Sequence, residues 1–473
     1  MAGPEKSIQN RFDSLQQHLK LENPVLLDAL DGFRKLDDIG YRTALLLPDE
    51  SYSTQIPWWP LISILGTFSA GKSSFINTYL GKPLQQTGNQ AVDDKFTVVC
   101  YGKDNTGKVL PGLALDADLR FPFYKISDEI ERVAVGEGRR IDAYLQLKVS
   151  DSEVVRGKII IDSPGFDADA QRTSTLKLTD HIIDISDLVL VFFDARHPEP
   201  GAMQDTLTHL VEDTIKRPDS NKFLYILNQI DTAAREDNPE DIVGAWQRAL
   251  SQKGLTAGRF YTIFNKDAAL PIENEALRDR FEAKRQRDMN EIDERIRQVE
   301  VERAYRIVGS MEKEAYFIRD NAIPHLKTLK RRWGKRVLKT DFVIWILALI
   351  AGLAAIVSTA GVASLPTLIL AVVTKPLAFL PQLIGIFIVL LLLHFLIKSW
   401  TRKRMVKKMQ LTEEDPYINA FKENTKLWSS IFSSSIRGWN RKTKKDISEV
   451  IDHSSMFVQK LNDQFTNPSG ASG

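Results

Sequence analysis

Between Phe342 and Val373 the chain runs for 32 residues without a charged side chain, and after Lys375-Pro376 it does so again for 21 residues, Leu377 to Ile397. A helix rising 1.5 Å per residue needs about 20 apolar residues to cross the hydrocarbon layer of a bilayer. Both runs are long enough, and helices of soluble proteins seldom exceed about 25 residues without a polar break. The expectation is a transmembrane helical hairpin over residues 341–398. Lys327, Lys330, Arg331, Arg332, Lys335, Arg336 and Lys339 precede it, while Lys398, Arg402, Lys403, Arg404, Lys407 and Lys408 follow it. Excess Lys and Arg mark the cytoplasmic side of a span. Two basic flanks therefore require an even number of crossings, with everything before and after the hairpin facing the cytoplasm. A three-crossing alternative would split the first run near Ser364-Leu365-Pro366. The same basic clusters could instead hold anionic headgroups, at about 1 kcal/mol per charge.

Away from the hairpin, 63 Lys plus Arg nearly balance 61 Asp plus Glu, so no surface-wide field suited to nucleic acid exists and no nucleic-acid partner is expected. Cys100 is the only cysteine, which excludes an internal disulfide, a thiolate metal cluster and a Cys-x-x-Cys redox pair. Glu5, Asp13, Glu22 and Asp28 interrupt the N-terminal leucines, and no secretory apolar core is present there. The N-terminus is expected in the cytosol.

The second constraint is local. Pro60-Leu61-Ile62-Ser63-Ile64-Leu65 reads as a buried strand, Phe75 to Leu80 as an apolar helix, and between them stand Gly66, Thr67, Phe68, Ser69, Ala70, Gly71, Lys72, Ser73 and Ser74. This is the strand, glycine loop and helix of a phosphate-binding loop. Glycines let backbone N–H groups curl around phosphate, Lys72 neutralises the β and γ oxygens, and the Ser73 hydroxyl ligates Mg²⁺. A second strand, Lys158 to Ile161, ends in Asp162-Ser163-Pro164-Gly165. There Asp162 would hold a water on the metal and the Gly165 N–H would face the γ-phosphate. A turn after a buried strand uses the same residue types for conformation alone, so it is the upstream loop that gives this motif its weight. Strands at Leu188 to Phe193 and Lys222 to Leu227 continue the alternation, and the latter delivers Asn228-Gln229-Ile230-Asp231. In an Asn-Lys-x-Asp loop the Asp reads guanine, the Asn ties the loop to the phosphate loop and the Lys stem covers the base. Gln229 in place of that lysine favours guanine through Asp231 while leaving adenine open.

Taken together these residues resemble the dynamin superfamily, particularly the EHD ATPases and their bacterial dynamin-like relatives, over residues 55–270. The Ser69-Ala70-Gly71-Lys72-Ser73-Ser74 core is similar to dynamin, and Asp94 to Gly102 with Phe193-Asp194-Ala195 resemble EHD segments. The resemblance implies self-association through the nucleotide domain and stalk, action on a lipid bilayer, and Mg²⁺ with GTP as cofactor, or ATP in an EHD-like variant. Departures are visible. Val92-Asp93-Asp94-Lys95-Phe96 lacks the threonine that closes on Mg²⁺ in dynamin, leaving Asp93 or Thr87 as substitutes. Phe68 stands where dynamin has a water-positioning Gln and atlastin an Arg. Catalysis would then rest on Lys72, Mg²⁺ and the N–H groups of Ser69 and Gly165. The peptide-binding module that ends EHD proteins is missing, and a hairpin followed by helix is closer to atlastin and mitofusin.

The expected fold is an α/β P-loop nucleotide domain, with a mixed, mostly parallel sheet between helices, plus an α-helical stalk or bundle and the transmembrane hairpin. Boundaries are drawn at 1–54 for N-terminal helices, 55–271 for the nucleotide domain, 272–340 for a stalk, 399–465 for a C-terminal helical region and 466–473 for a disordered tail. Within 273–320, Leu277, Phe281, Ile292, Ile296, Val299, Ile307, Met311 and Ile318 form an apolar stripe that reads as bundle packing or as a stalk. Tyr417, Phe421, Trp428, Ile431, Phe432, Ile436 and Trp439 are also read at helical spacing, packing in the bundle or lying on the bilayer surface. The leading functional expectation is a membrane-anchored GTPase coupling nucleotide turnover and self-assembly to remodelling, tethering or fusion. A membrane-tethered signalling switch with weak hydrolysis is the alternative from another class. A transport component is disfavoured, because Lys375 and His394 alone offer little polar pathway.

Overall fold

The computed structural model describes residues 3–87, 95–103, 107–117, 121, 127, 131, 136, 138–165, 173–197, 219–235, 239–255, 258–269, 271–360, 376–412 and 415–466. Expectations for Val92, Asp93 and Asp94, for the Ser364-Leu365-Pro366 break, for Lys375 and for the tail beyond Thr466 lie outside these residues. The chain divides into two compact units: a nucleotide unit of residues 11–28, 54–308 and 458–473, and a helical unit of residues 1–10, 29–53 and 309–457.

The chain opens with α1 (Lys6–Glu22) and α2 (Leu27–Thr43), separated at Asn23 by a tight turn over Pro24–Leu26. Proline lacks the N–H that would continue α1 and starts the next turn instead. The nucleotide unit is built on eight strands: β1 (Leu61–Gly66), β2 (Phe96–Tyr101), β3 (Val109–Pro111), β4 (Leu145–Ser150), β5 (Ile159–Asp162), β6 (Leu188–Asp194), β7 (Phe223–Asn228) and β8 (Arg259–Thr262). Their order is β3-β4-β2-β5-β1-β6-β7-β8. Pairings from β5 through β1, β6 and β7 to β8 are parallel, as is β2 with β4, whereas β2 with β5 and β3 with β4 are antiparallel. The mixed, mostly parallel sheet expected from the sequence is therefore present. Every residue of β1, β5, β6 and β7 is buried, which explains why these strands read as unbroken apolar runs.

The described helices of this unit include α3 (Lys72–Leu80), α4 (Leu113–Ala117), α5 (Thr173–Ile185), α6 (Pro239–Gln252) and the first part of α7 (Glu275–Tyr316). Ile292, Ile296 and Val299 of α7 are buried in one cluster with Phe75, Ile76 and Leu80 of α3 and with Ile62, Ile64 and Ile160 of the sheet. Burial of each such side chain stabilises the unit by roughly 1.5–3 kcal/mol. This part of the apolar stripe thus completes the core beneath the phosphate-loop helix. A buried polar joint backs it up: Asp187, just before β6, accepts from the Leu61 N–H at 2.8 Å and pairs with Arg303 and Arg306 of α7.

In the helical unit, α7 continues through a π-helical turn (Phe317–Ala322) into α8 (Ile323–Ala360), followed by α9 (Pro376–Met409), α10 (Asp415–Asn424) and α11 (Arg441–Thr466). Phe33, Leu36, Ile39, Leu326, Leu329, Trp333, Phe421 and Val450 are buried here, and Arg42 pairs with Asp446 at 2.8 Å. Among the described residues two helices are long and apolar enough to cross a membrane, and only 11% and 17% of their most apolar windows are buried. A core helix of a soluble protein would bury most of its surface; these leave Phe342, Ile346, Leu349, Ile386, Phe387 and Leu392 exposed. One expectation is corrected. Residues 425–440 are not helical but form an irregular loop between α10 and α11. Phe421 and Ile436 are buried while Trp428 and Phe432 are exposed. Ser429, Ser430, Ser433, Ser434, Ser435 and Gly438 favour turns over helix, and they outweigh the apolar spacing.

Candidate nucleotide site

The parallel run β5-β1-β6-β7 aligns the C-terminal ends of four strands along one edge, where α/β sheets bind ligands. Gly66 ends β1; Thr67 to Gly71 form the loop; Lys72, Ser73 and Ser74 open α3. Gly71 precedes α3 with φ of 83°, and a Cβ built on it would lie 2.3 Å from the Asn228 amide nitrogen, so both conformation and space require glycine. Asn228 ends β7 and donates to the Ala70 carbonyl at 2.8 Å. This bond joins the end of β7 to the glycine loop between β1 and α3.

Lys72 is buried, and its ammonium donates to the carbonyls of Gly66 and Thr67 at 3.0 Å each. Burial pulls its pKa down to about 8, while the nearby Asp162 carboxylate opposes the shift. The cation is thus held inside the loop, its charge poorly compensated. Ser73 donates its hydroxyl to Asp162 at 3.0 Å, bringing the two predicted metal-site oxygens together. Gln85, buried, donates to the same Asp162 oxygen at 2.8 Å and accepts from Lys148. Asn77 on α3 holds the Gln85 backbone on both sides, accepting from its N–H and donating to its carbonyl. Thr87, the proposed substitute hydroxyl, is exposed at the end of this segment. The Thr67 and Ser163 hydroxyls are buried without a hydrogen-bond partner, which fits a site that takes polar oxygens. A hydroxyl and a carboxylate from two elements, 3.0 Å apart, form a donor set suited to Mg²⁺.

Gly165 packs against Phe68: a Cβ there would meet the Phe68 Cα at 2.9 Å. Phe68 itself is partly exposed, and with no ionisable group it can only shape the space above the loop. Ser69 adopts φ of 58° and Gln229 φ of 63°. Gln229 donates its side-chain amide to the Ser69 carbonyl at 2.7 Å, so it braces the phosphate loop rather than extending over a base position. Asp231 is buried in the following turn, Ile230–Arg235.

Three contributors escaped the sequence reading. Arg196 grips Asp194 with two nitrogens, at 2.6 and 3.0 Å, and reaches the Ser69 carbonyl at 3.4 Å. Its pKa is raised chiefly by the hydrogen bonds to Asp194 and further by the negative charges of Asp194 and Asp231, against the opposing effect of partial burial. Asn265, beyond β8, donates to the Ser74 hydroxyl at 2.9 Å. The third is the Gln85–Lys148 brace behind Asp162. Arg196 directly follows Phe193-Asp194-Ala195, a segment already conspicuous; Asn265 and Lys148 carry no local signal, since their role depends on strands paired across the sheet. On the side of Asn228 and Asn265 the surface opens into a cavity of about 400 Å³ walled by Ser74, Phe75, Tyr79 and Met289.

Residues 62–230 match the family described as the dynamin family. A probable transmembrane GTPase, FZO-like and chloroplastic, from Arabidopsis thaliana is 25% identical over 232 residues. That match covers 48% of this chain and 21% of the relative's length, so the chain spans only a small part of that protein. Two chains from an oligomerised bacterial dynamin pair, described as providing a mechanism for long-range sensing and tethering of membranes, are each 16% identical. They cover 98% and 92% of this chain and 74% and 78% of their own, with TM-scores of 0.37 and 0.32.

Proposed function

We propose, from the premise that the chain belongs to the dynamin superfamily, that it is a membrane-anchored GTPase whose turnover and self-assembly remodel, tether or fuse bilayers. The observation that carries this reading is the coexistence, in one chain, of a braced phosphate loop and two apolar helices left exposed along their length. Triphosphate would displace the Gly66 and Thr67 carbonyls from Lys72 and take its charge. Loop N–H groups from Ser69 and, on the opposite side, Gly165 would hold the transferred phosphoryl group and the attacking water. Ser73 would ligate Mg²⁺ directly and Asp162 through water. That ion would neutralise charge developing between the β and γ oxygens. Asn228 and Gln229 keep the loop in shape and Asp231 reads the base. Because Phe68 cannot take a proton or orient water by hydrogen bonding, turnover by an isolated molecule is slow and rises when copies meet. The topology that goes with this reading is a two-pass hairpin with both flanks in the cytoplasm. Residues 55–271 form the catalytic domain, flanked by helical regions at 1–54, 272–340 and 399–465.

A second reading keeps the mechanism and changes the nucleotide. Gln229 is engaged with Ser69 and offers no long aliphatic stem to the base, so ATP is the alternative substrate. Hydrolysis of GTP and ATP, measured on liposomes over a wide range of bound protein density, tests both. GTP turnover rising with density is the expected result; a rate flat across the range would leave an anchored switch as the better description.

A further inference from the structure

We infer that the loop at residues 425–440 is an interfacial membrane anchor, with Trp428 seated at the headgroup–acyl boundary of the bilayer that α8 and α9 cross and Phe432 above it at headgroup depth. This rests on the membrane-spanning reading of those helices. Trp428 and Phe432 are 85% and 81% exposed, unusual for two large aromatic side chains four residues apart. Neither is loose. The Lys398 ammonium donates to the carbonyls of Leu427 and Ser429 at 2.6 and 2.8 Å, clasping the residues on both sides of Trp428. Lys330 donates to the Ser435 carbonyl at 2.7 Å. Between them the Ile431 carbonyl lies so close to Gly334 of α8 that a Cβ there would meet it at 2.3 Å. The Asn424 side chain accepts from the Arg437 N–H at 2.7 Å and closes the loop. A short irregular segment is thus fixed against both membrane helices with its two aromatics turned outwards.

Depth follows from the helices. The Trp428 ring packs edge-on against Phe395, centroids 5.3 Å apart. Phe395 lies three residues inside Lys398, the first cation after the apolar run, or about 4–5 Å at helical rise. Trp428 therefore stands where the apolar run gives way to charge, the level at which tryptophan collects in membrane proteins because its ring is apolar and its N–H needs a polar partner. Ile431 sits beside Gly334, farther from the apolar stretch, which places Phe432 nearer the headgroups. Lys335, Arg336, Arg402, Lys403 and Arg404 occupy the same zone and suit anionic lipid. Lipid is the occupant because the patch is continuous with the surface the two helices already present to it. The consequence is a wedge in a single leaflet beside the hairpin, which widens that leaflet and biases curvature.

The test uses the full chain in phospholipid vesicles containing anionic lipid. Cys100 is buried, so a polarity-sensitive thiol label can be directed to Trp428→Cys, Phe432→Cys or, as a reference within the span, Phe387→Cys. Lipid-borne quenchers near the headgroup, high on the acyl chain and near its end report depth. The expected result is loss of fluorescence at position 428 chiefly with the quencher high on the chain, at 432 with the headgroup quencher, and at 387 with the deepest one. Quenching at 387 with none at 428 and 432 overturns the anchor and leaves the spans intact. No quenching at 387 removes the membrane-spanning reading itself, and the anchor with it. Protection at 428 that appears only as protein density rises would assign the patch to contact between copies and also overturn the proposal.

Discussion

At the scale of single residues the site is governed by Lys72. Its pKa falls from 10.5 to about 8 because the ammonium is buried against neutral carbonyls. The folded, nucleotide-free protein therefore releases this proton through pH 8, while the unfolded chain holds it to about pH 10.5. The charged form costs stability below pH 8, and that cost is relieved as pH rises from 8 to 10.5. Bound triphosphate reverses the preference and keeps Lys72 charged. Nucleotide affinity should then fall about tenfold between pH 7 and pH 9, with uptake of close to one proton on binding at the upper end. Calorimetric titration in buffers of different ionisation heat checks this, and proton-neutral binding at pH 9 would refute it. Gly165 makes a separate prediction. In Gly165→Ala the new Cβ collides with the Phe68 backbone, so the N–H must move although the loop survives. Nucleotide affinity should change little, while turnover falls about 10²-fold, as for loss of one transition-state donor. Equal losses in binding and turnover would assign Gly165 to ground-state binding instead.

At the scale of elements, the link between sheet and α7 matters most. Asp187 satisfies the first N–H of β1 and two arginines of α7, and β1 ends at the phosphate loop. Asp187→Ala would leave the Arg303 charge and the Leu61 N–H buried and unpaired. The nucleotide unit should lose about 3–5 kcal/mol, read as a lowered denaturation midpoint. Arg306 is about half exposed and on its own contributes much less, so Arg306→Ala should cost under about 1 kcal/mol. A similar loss in both variants would mean the joint is organised by Arg306.

At the scale of the whole molecule the testable question is on which side of a bilayer the two flanks of the apolar helices lie. Basic flanks before Phe342 and after Ile397 predict that both lie on one side of the bilayer. Thiol labels at Lys335→Cys and Arg404→Cys should react with the same membrane-impermeant reagent from the same side of sealed vesicles. Reaction from opposite sides would require an odd number of crossings.

What the sequence determined by itself is local or periodic. The phosphate loop follows from φ requirements and charge within nine residues, Gly66 to Ser74, and the two long apolar helices follow from unbroken apolar length. Both are legible because the physical cause lies in contiguous residues. Tertiary structure decided what depends on distant partners. Asn228 meets Gly71 because β7 and β1 flank β6, and Lys148 backs Asp162 through Gln85. Ile292 and Ile296 complete the nucleotide core although their spacing alone is equally that of a bundle helix. The aromatic run near Trp428 has helical spacing yet forms a loop for the same reason: apolar spacing reports which residues could share a face, whereas the serines, glycine and three-dimensional packing decide the backbone that carries them.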